Sequence, residues 1–398
     1  MIPRTLYIEK LKAWKDEDVI KALTGIRGCG KSTLFNQFIQ WLKSNGVDDS
    51  QIIMINLENV TFSFKDYIEL HNYIISKLDL SKKNYVFLDE IQNIKDFQKA
   101  VDSLYIKNNI DVYITGSNAY LLSGSLATLL SGRYIEIKML PLSFKEFVSS
   151  FDSNNYYELF LNYMKFGGLP GCVNLLKSNP NGIDIYMDAI FSTVVYKDIM
   201  MRNNITDKLL LESVLKFIYD SIGSPISTKK ISDTLTSKGT LTSNHTVENY
   251  LNAFLESFLI YKAERFDVKG KKLLSRDYKY YAALAGLRSY LLGKKSDSDL
   301  GHILENIVYF ELLRRGYKVY VGKVYDLAID FVAKNRDGLK YYQVALSVRD
   351  ENVLARELKS LQKTNDHYPK TLLTLDMDLE ADYDGITKIN VIDWLLDK

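Results

Sequence analysis

Short apolar runs, each followed by polar residues, predict the first elements of the chain as buried β-strands. Together with the polar residues that end them, these runs cover residues 19–24, 51–58, 85–92, 111–118 and 135–138. Between the first two runs, apolar residues recur at helical spacing from Leu34 to Leu42, which predicts an amphipathic helix that ends near Gly46. Strands that alternate with helical segments are typical of an α/β fold with a parallel sheet.

The loop after the first predicted strand has the spacing of a phosphate-binding loop. Gly25 is followed by four residues and then by Gly30-Lys31-Ser32. Glycines let backbone N–H groups surround phosphate oxygens, and the helix dipole adds partial positive charge. We therefore expect ATP to be bound by Gly25, Gly28, Cys29, Gly30, Lys31, Ser32 and Thr33. Lys31 is expected to reach the β- and γ-phosphates, and the Ser32 hydroxyl to ligate Mg²⁺.

Two later strands end in candidate catalytic groups. Asp89 and Glu90 follow one apolar run, where Asp89 is expected to order Mg²⁺ and Glu90 to polarise the attacking water. Asn118, or Ser117 beside it, follows the next run and is a candidate to bind the γ-phosphate or orient the water. The alternative for Asn118 is an ordinary turn after a strand.

Arg133 stands just before the last strand of this segment. Ring ATPases often place there an arginine finger for the neighbouring subunit's phosphate, and such a finger adds a factor of ~10³ or more to hydrolysis. This interpretation of Arg133 implies a homo-oligomer. The alternative is an ion pair with a surface carboxylate.

Composition narrows the classes of protein that remain. A chain of 398 residues is too long for one ordinary core and predicts two to four domains. The net charge of +2 gives no overall attraction to nucleic acid, so any basic surface must be local. Two cysteines exclude a disulfide scaffold and fit a reducing cytosol, and no apolar run is long enough for a signal peptide or membrane span. We therefore expect a cytoplasmic protein without a membrane partner.

The pattern from 226 to 283 predicts a winged helix-turn-helix. A short helix, a longer helix and two β-type runs follow one another at residues 227–235, 243–259, 261–268 and 272–281. Polar residues at the start of the longer helix suit contacts in the major groove: Ser243, Asn244, His245, Thr246 and Asn249. Residues 262–279 include seven basic and three acidic residues, which favours contact with DNA phosphates. The alternative is a protein-contact module with a solvated hairpin.

The last hundred residues predict the order helix, three strands, helix, strand. This αβββαβ order is the core of the PD-(D/E)xK nuclease fold, which holds Mg²⁺ with carboxylates and aims a lysine at the phosphate. Glu305, Asp330 and Gln343 occupy the acidic and glutamine positions, but Ala345 occupies the lysine position. We therefore predict that the three polar residues converge without supporting cleavage, and Lys340 is the nearest lysine in sequence to Ala345.

Several motifs in order carry a resemblance to one family. They are residues 25–33, Phe-Leu-Asp-Glu-Ile-Gln at 87–92, Ile-Thr-Gly-Ser-Asn at 114–118, Ser-Gly-Arg-Tyr at 131–134 and 140–147. Together they resemble prokaryotic AAA-type P-loop ATPases that carry a C-terminal restriction-endonuclease-like domain of unknown function. Members usually have a second arginine where Gly28 stands, and relatives often have Glu where Ala328 stands.

The resemblance and the patterns together imply four domains. We expect an AAA-type P-loop core at 1–150, a helical lid at 151–222, a winged helix at 223–294 and a degenerate endonuclease-like domain at 295–398. The function expected is Mg²⁺-dependent binding and hydrolysis of ATP by a DNA-associated switch or motor. Two alternatives are a nucleotide-operated switch that binds proteins without DNA, and an ATP-dependent nuclease.

Overall fold

The structure, a computed structural model, describes residues 2–119, 130–293, 299–378 and 380–398, without the side chains of residues 275–277. The chain divides into two compact units. The first is Met1–Pro141 with Glu256–Phe258, and the second is Leu142–Leu255 with Leu259–Lys398. The predicted boundary at 294/295 lies outside the described residues, and the division into four domains stays a prediction.

A five-stranded sheet forms the centre of the first unit. Its strands are β1 (Ile20–Thr24), β2 (Ile52–Asn56), β3 (Asn84–Asp89), β4 (Ile110–Gly116) and β5 (Tyr134–Lys138). They lie in the order β2-β3-β4-β1-β5, and each neighbouring pair is parallel. Strands β1, β3 and β4 are buried along their whole length, as parallel strands covered on both faces usually are. The α/β fold with a parallel sheet is confirmed.

Four helices in the described part of the first unit accompany this sheet. They are α1 (Thr5–Ala13), α2 (Lys31–Ser44), α3 (Tyr67–Lys77) and α4 (Phe97–Tyr105), with 3-10 turns at Asp49–Gln51, Val60–Phe62 and Ile91–Asn93. Phe35 of α2 packs edge-on against Phe87 of β3, which stacks on Tyr113 of β4 with centroids 4.6 Å apart. The carboxyl ends of parallel strands meet at one edge of a sheet, so the loop after β1 and the residues after β3 and β4 lie together.

The second unit begins with helices. They are α5 (Phe144–Val148), α6 (Tyr156–Phe166), α7 (Pro170–Ser178), α8 (Ile183–Thr193), a π-helix at Val194–Met200, α9 (Met201–Asn203) and α10 (Lys208–Asp220), with a 3-10 turn at Pro180–Gly182. Apolar residues recur at helical spacing from 185 to 219, but this region is not one helix. Asn204 adopts a left-handed conformation with φ of 52° and separates α9 from α10.

The remaining described helices of the chain lie among the strands of a second sheet. They are α11 (Thr228–Ser237), α12 (Asn244–Glu256), α13 (Ala285–Leu292), α14 (Leu300–Arg314), α15 (Glu351–Gln362) and α16 (Val391–Leu396). Helices α11 and α12 are the short and long helices predicted before the hairpin. The identification of this segment as a winged helix stays a proposal.

A nine-stranded sheet joins the second half of this unit. Its strands are β6 (Pro225–Ile226), β7 (Ile260–Asp267), β8 (Lys272–Ala282), β9 (Lys318–Val324), β10 (Leu327–Asn335), β11 (Gly338–Val344), β12 (Lys370–Thr374), β13 (Ala381–Asp382) and β14 (Ile386–Asn390). The order is β13-β14-β12-β11-β10-β9-β7-β8-β6. Elements α14, β9, β10, β11, α15 and β12 follow one another in the predicted order. Strand β7 of the β7–β8 hairpin pairs in parallel with β9. The hairpin and the αβββαβ elements therefore share one sheet, which the sequence did not indicate.

Candidate functional site

The backbone between β1 and α2 has the shape of an anion-binding loop. Gly25, Gly28 and Gly30 have φ of 152°, 80° and 102°, in the region where a side chain is strained. A Cβ atom on Gly25 would lie 2.2 Å from the carbonyl oxygen of Met139. Glycine is therefore required at Gly25 for both conformation and space, and Gly30 brings the chain directly to the N-terminus of α2.

Lys31 lies folded against its own loop. Its Nζ donates hydrogen bonds to the carbonyl oxygens of Gly25, at 2.9 Å, and of Ile26, at 3.4 Å. The same ammonium is 3.6 Å from Oε1 of Glu90, and the Lys31 side chain is only 3% exposed. An incoming phosphate can replace these carbonyl contacts, because the Lys31 ammonium forms stronger, charge-assisted hydrogen bonds with phosphate oxygens.

Asp89 is held at the end of β3 by residues of the neighbouring strands and of the loop. The Thr115 hydroxyl on β4 donates to its Oδ1 at 2.6 Å, and the Asn56 amide on β2 donates to its Oδ2 at 3.1 Å. Burial raises the pKa of Asp89 above its ordinary value, against hydrogen bonds from Ser32 and Thr115 that lower it. A divalent cation at this carboxylate would favour its ionised form.

The donor set beside Asp89 fits Mg²⁺. The Ser32 hydroxyl lies within hydrogen-bonding reach of the Asp89 carboxylate, and hydroxyl, carboxylate, water and phosphate oxygens are the ligands that Mg²⁺ prefers. The two predicted metal-binding residues are thus brought together at the start of α2. They would hold the ion between the loop and β3.

Glu90 adopts a left-handed backbone conformation, with φ of 54°, immediately after β3. Its N–H donates to the Thr115 hydroxyl at 2.9 Å, and Gln92 donates to its Oε2. Burial favours the neutral carboxyl, but the Lys31 ammonium and the Gln92 hydrogen bond outweigh it, so the pKa of Glu90 lies below its ordinary value. Glu90 is therefore ionised near neutral pH, as a general base must be.

Sequence reasoning missed Thr115 and Asn56. One Thr115 hydroxyl serves both carboxylate residues, because it donates to Asp89 and accepts from the Glu90 N–H. The Asn56 side-chain nitrogen donates to Asp89, and its side-chain oxygen accepts a hydrogen bond from the Glu58 N–H at 2.8 Å. The signal available in the sequence was a polar residue at the end of each apolar run, on strands that flank β3.

The two remaining catalytic candidates lie in different surroundings. Asn118 is 2% exposed and follows β4, near the end that carries Thr115. Arg133 forms an ion pair with Asp102 of its own chain, lies 5.7 Å from the Tyr105 ring centroid, and has a side chain that is 42% exposed. Their catalytic roles stay predictions.

The second unit brings Glu305, Asp330 and Gln343 together, as the sequence predicts, and adds a lysine. Lys279 of β8 has its Nζ 2.8 Å from Oε1 of Glu305 and 3.7 Å from Oδ1 of Asp330. Lys340 is not part of this cluster: its Nζ lies over the Tyr317 ring, 5.7 Å from the centroid. Residues three apart on a strand point to opposite faces, so Lys340 and Gln343 lie on opposite faces of β11.

Among the described residues, no helix has the length and apolar character needed to cross a membrane.

Comparison with known proteins connects these features to a family. A model described as "AAA domain" matches residues 17–148, and one described as "Domain of unknown function (DUF8612)" matches residues 157–298. An uncharacterized protein of Haemophilus influenzae is 41% identical over 402 residues, which cover 100% of this chain and 99% of that protein. An uncharacterized protein of Methanocaldococcus jannaschii is 28% identical over 361 residues, with 86% and 78% of the two chains covered.

A solved structure shares the fold. A Walker-type ATPase of Pyrococcus abyssi superposes with a TM-score of 0.53 at 15% sequence identity, and the match covers 73% of this chain and 96% of that one. At this identity the likeness extends to the fold alone.

Proposed function

We propose that this chain, which belongs to the same family as its Haemophilus influenzae relative and matches an AAA domain over residues 17–148, binds Mg²⁺·ATP and hydrolyses it. The observation that carries the proposal is one cluster of four residues with the Thr115 hydroxyl. Lys31 lies beside Glu90, Ser32 beside Asp89, and the Thr115 hydroxyl bonds both Asp89 and the Glu90 N–H. Bound Mg²⁺ would neutralise phosphate charge between Ser32 and Asp89. Both cysteines are free and buried, as is usual in the reducing cytoplasm. We therefore propose that the protein acts in the cytoplasm.

The hydrolysis step follows from the placement of charges. An incoming γ-phosphate would draw Lys31 from the carbonyls of Gly25 and Ile26 and give it a charge-assisted partner. Glu90, ionised and fixed by its backbone bond to Thr115, would accept a proton from the attacking water. Asn118 is proposed to orient that water from the end of β4. The test is ATP hydrolysis by the full chain with and without Mg²⁺, which should depend on the metal.

We propose that DNA is the partner whose binding is coupled to this ATPase. Three lysines at the turn of the β7–β8 hairpin are exposed: Lys269, Lys271 and Lys272. The Asp267 carboxylate accepts the backbone N–H groups of Lys269 and Gly270, which fixes the turn. At the start of α12, Ser243, Asn244 and His245 are also exposed. Exposed lysines on a fixed turn and polar groups at a helix start suit phosphates and base edges respectively.

Removal of the three hairpin lysines should flatten the salt dependence of DNA affinity. Each lost phosphate contact lowers the slope of log affinity against log salt by about one, because fewer counterions are released. We expect a smaller slope for a variant with alanine at Lys269, Lys271 and Lys272, measured by fluorescence anisotropy on a duplex. The matched control replaces Lys43, Lys82 and Lys107 and loses the same charge. Equal slopes for both variants would favour the protein-binding alternative.

That alternative, a nucleotide-operated switch that binds proteins, is favoured by one observation. Apolar side chains along α8 to α10 face solvent: Ile185, Tyr196, Met201 and Leu209 are 75%, 59%, 64% and 78% exposed. A π-helix lies among them, and such segments often occur at functional sites. Exposed apolar groups of this kind are typical of a surface for a protein partner.

We propose that Arg133 acts in a homo-oligomer as a finger for the neighbouring subunit. If so, Arg133→Ala should slow hydrolysis by about 10³-fold, because transition-state charge loses its cation. A mixture of Arg133→Ala with Lys31→Ala should then recover activity, since each chain supplies what the other lacks. Asp102→Asn, which frees Arg133 from its own-chain partner, is the control and should retain hydrolysis. Activity independent of dilution, with a sedimenting monomer, would contradict this role.

We propose that the C-terminal αβββαβ segment is an endonuclease-like domain without nuclease activity. The convergence of Glu305, Asp330 and Gln343 supports the fold, and Ala345 at the position of the lysine argues against cleavage. Its apolar strand pattern suits a folded docking surface.

A further inference from the structure

Two carboxylates from different elements of the second unit share one lysine. Glu305 lies on α14, Asp330 on β10 and Lys279 on β8. The Lys279 Nζ is 2.8 Å from Glu305 Oε1 and 3.7 Å from Asp330 Oδ1, and the three side chains are 8%, 10% and 15% exposed for lysine, glutamate and aspartate. Two acids so deeply placed need a counter-cation, because an unpaired buried charge is costly.

The lysine meets this need and stays charged. Burial lowers the pKa of Lys279, but the charges of Glu305 and Asp330 outweigh burial and raise it above its ordinary value. Burial, followed by repulsion from Glu305, raises the pKa of Asp330. The Lys279 ammonium thus contacts both acids, at 2.8 Å from Glu305 and 3.7 Å from Asp330, and offsets the repulsion between them.

Three acceptor oxygens around the cluster already accept hydrogen bonds from the protein. Glu305 Oε1 also accepts from the Tyr281 hydroxyl at 2.7 Å, and Asp330 Oδ2 accepts from the Val344 N–H at 3.0 Å. The Gln343 side-chain oxygen accepts from the Asp330 N–H at 3.3 Å, and so faces the backbone. A divalent cation would have to displace both the ammonium and several of these donors.

We propose that Lys279 is a built-in counter-cation that excludes divalent metal ions from the pair Glu305 and Asp330. The endonuclease resemblance implies Mg²⁺ at these carboxylates, and the residues present do not fit it, because the lysine occupies the position between them. Within the described ranges, no three His, Cys, Asp or Glu side chains group as metal ligands. This inference does not depend on the proposed ATPase.

The shared lysine also fixes the hairpin to its neighbours. Lys279 connects β8 to α14 and β10, and the adjacent Asn306 side chain bonds both the N–H and the carbonyl of Ala282, at 2.8 Å and 3.0 Å. This charge cluster and Asn306 therefore connect the basic hairpin to the αβββαβ elements.

The test measures Mn²⁺ binding and thermal unfolding of the full chain, without nucleotide and with Asp89→Asn to weaken the ATP-site metal. This chain should bind no Mn²⁺ by electron paramagnetic resonance. Adding Lys279→Met should lower the melting temperature by about 5 °C or more in chelator, because two carboxylates lose their cation. Mn²⁺ should then bind and restore part of the loss, and further Asp330→Asn should abolish that response.

The matched control is Lys21→Met, which removes another buried lysine, one that is paired with the single carboxylate of Asp111. It should lose stability without a Mn²⁺ response. The proposal would be overturned if the Asp89→Asn chain bound Mn²⁺ and lost that binding when Asp330→Asn was added. It would also be overturned if Lys279→Met caused no loss of stability or no rescue by Mn²⁺. If Lys279→Met fails to fold, Lys279→Met with Asp330→Asn should recover folding, and failure there also contradicts it.

Discussion

Glu90→Gln should bind ATP as tightly as the unaltered chain and hydrolyse it about 10²- to 10⁴-fold more slowly, the usual contribution of a general base. The amide keeps the size of the side chain and its backbone N–H bond to Thr115 but cannot take a proton from water. The loss should fall on kcat. Binding is measured with a fluorescent ATP analogue and turnover by phosphate release.

Lys31→Ala is the matched comparison, because it removes the other charge of the pair that lies 3.6 Å apart. It should abolish ATP binding, since the phosphates lose their cation, whereas Glu90→Gln should not. Equal hydrolysis by Glu90→Gln and the unaltered chain would contradict the role of Glu90. Glu58, which forms an ion pair with Arg27 of the loop at 3.0 Å, would then be the next candidate base.

The parts of the site that are local in sequence were predictable. The glycine spacing, the apolar run before it and the helical period after it define the loop from Gly25 to Thr33 without knowledge of the sheet. Asp89 and Glu90 are adjacent to a buried run and were placed by the same reasoning. In each case the chemistry depends on residues within one strand–loop–helix segment, so pattern and spacing suffice.

The parts that depend on pairing between distant strands were not predictable. Thr115 contacts Asp89 only because β4 lies beside β3. The spacing of apolar residues along the chain does not determine the strand order β2-β3-β4-β1-β5. Lys279 reaches Glu305 because the β7–β8 hairpin joins the sheet of β9 to β12. The lysine that contacts the two acids is therefore distant from Ala345 in sequence and reaches them from β8.

The points at which the helices of residues 185–219 are interrupted were also not predictable from the sequence. Apolar spacing from 185 to 219 suits a helix throughout, yet the chain passes through a π-helix and the left-handed Asn204 before α10 begins. An added residue in a helical turn shifts the apolar stripe by only a fraction of a turn. Periodicity therefore cannot detect it reliably.

Thr115→Val should lower kcat by about 10- to 100-fold while ATP affinity changes little. Valine keeps the shape of threonine and removes the one hydroxyl that donates to Asp89 Oδ1 and accepts from the Glu90 N–H. Both groups are buried, so each unmade bond costs about 1–3 kcal/mol. The Asp89 carboxylate and the Glu90 backbone then lose their common partner. A lower melting temperature should accompany the lower kcat. Steady-state kinetics measure kcat, and thermal unfolding measures the melting temperature.

Thr115→Ser separates this positioning role from packing. Serine loses a buried methyl group but keeps the hydroxyl, so it should cost some stability and still turn over ATP at a rate near that of the unaltered chain. Val101, buried on α4, gives a second reference through Val101→Thr, which should destabilise the first unit by burying a hydroxyl and leave kcat close to normal. If Thr115→Val and Thr115→Ser reduce kcat equally, the methyl group matters rather than the hydroxyl. Thr115 would then not be the anchor of Asp89 and Glu90, and their orientation would have to come from Asn56 and Gln92.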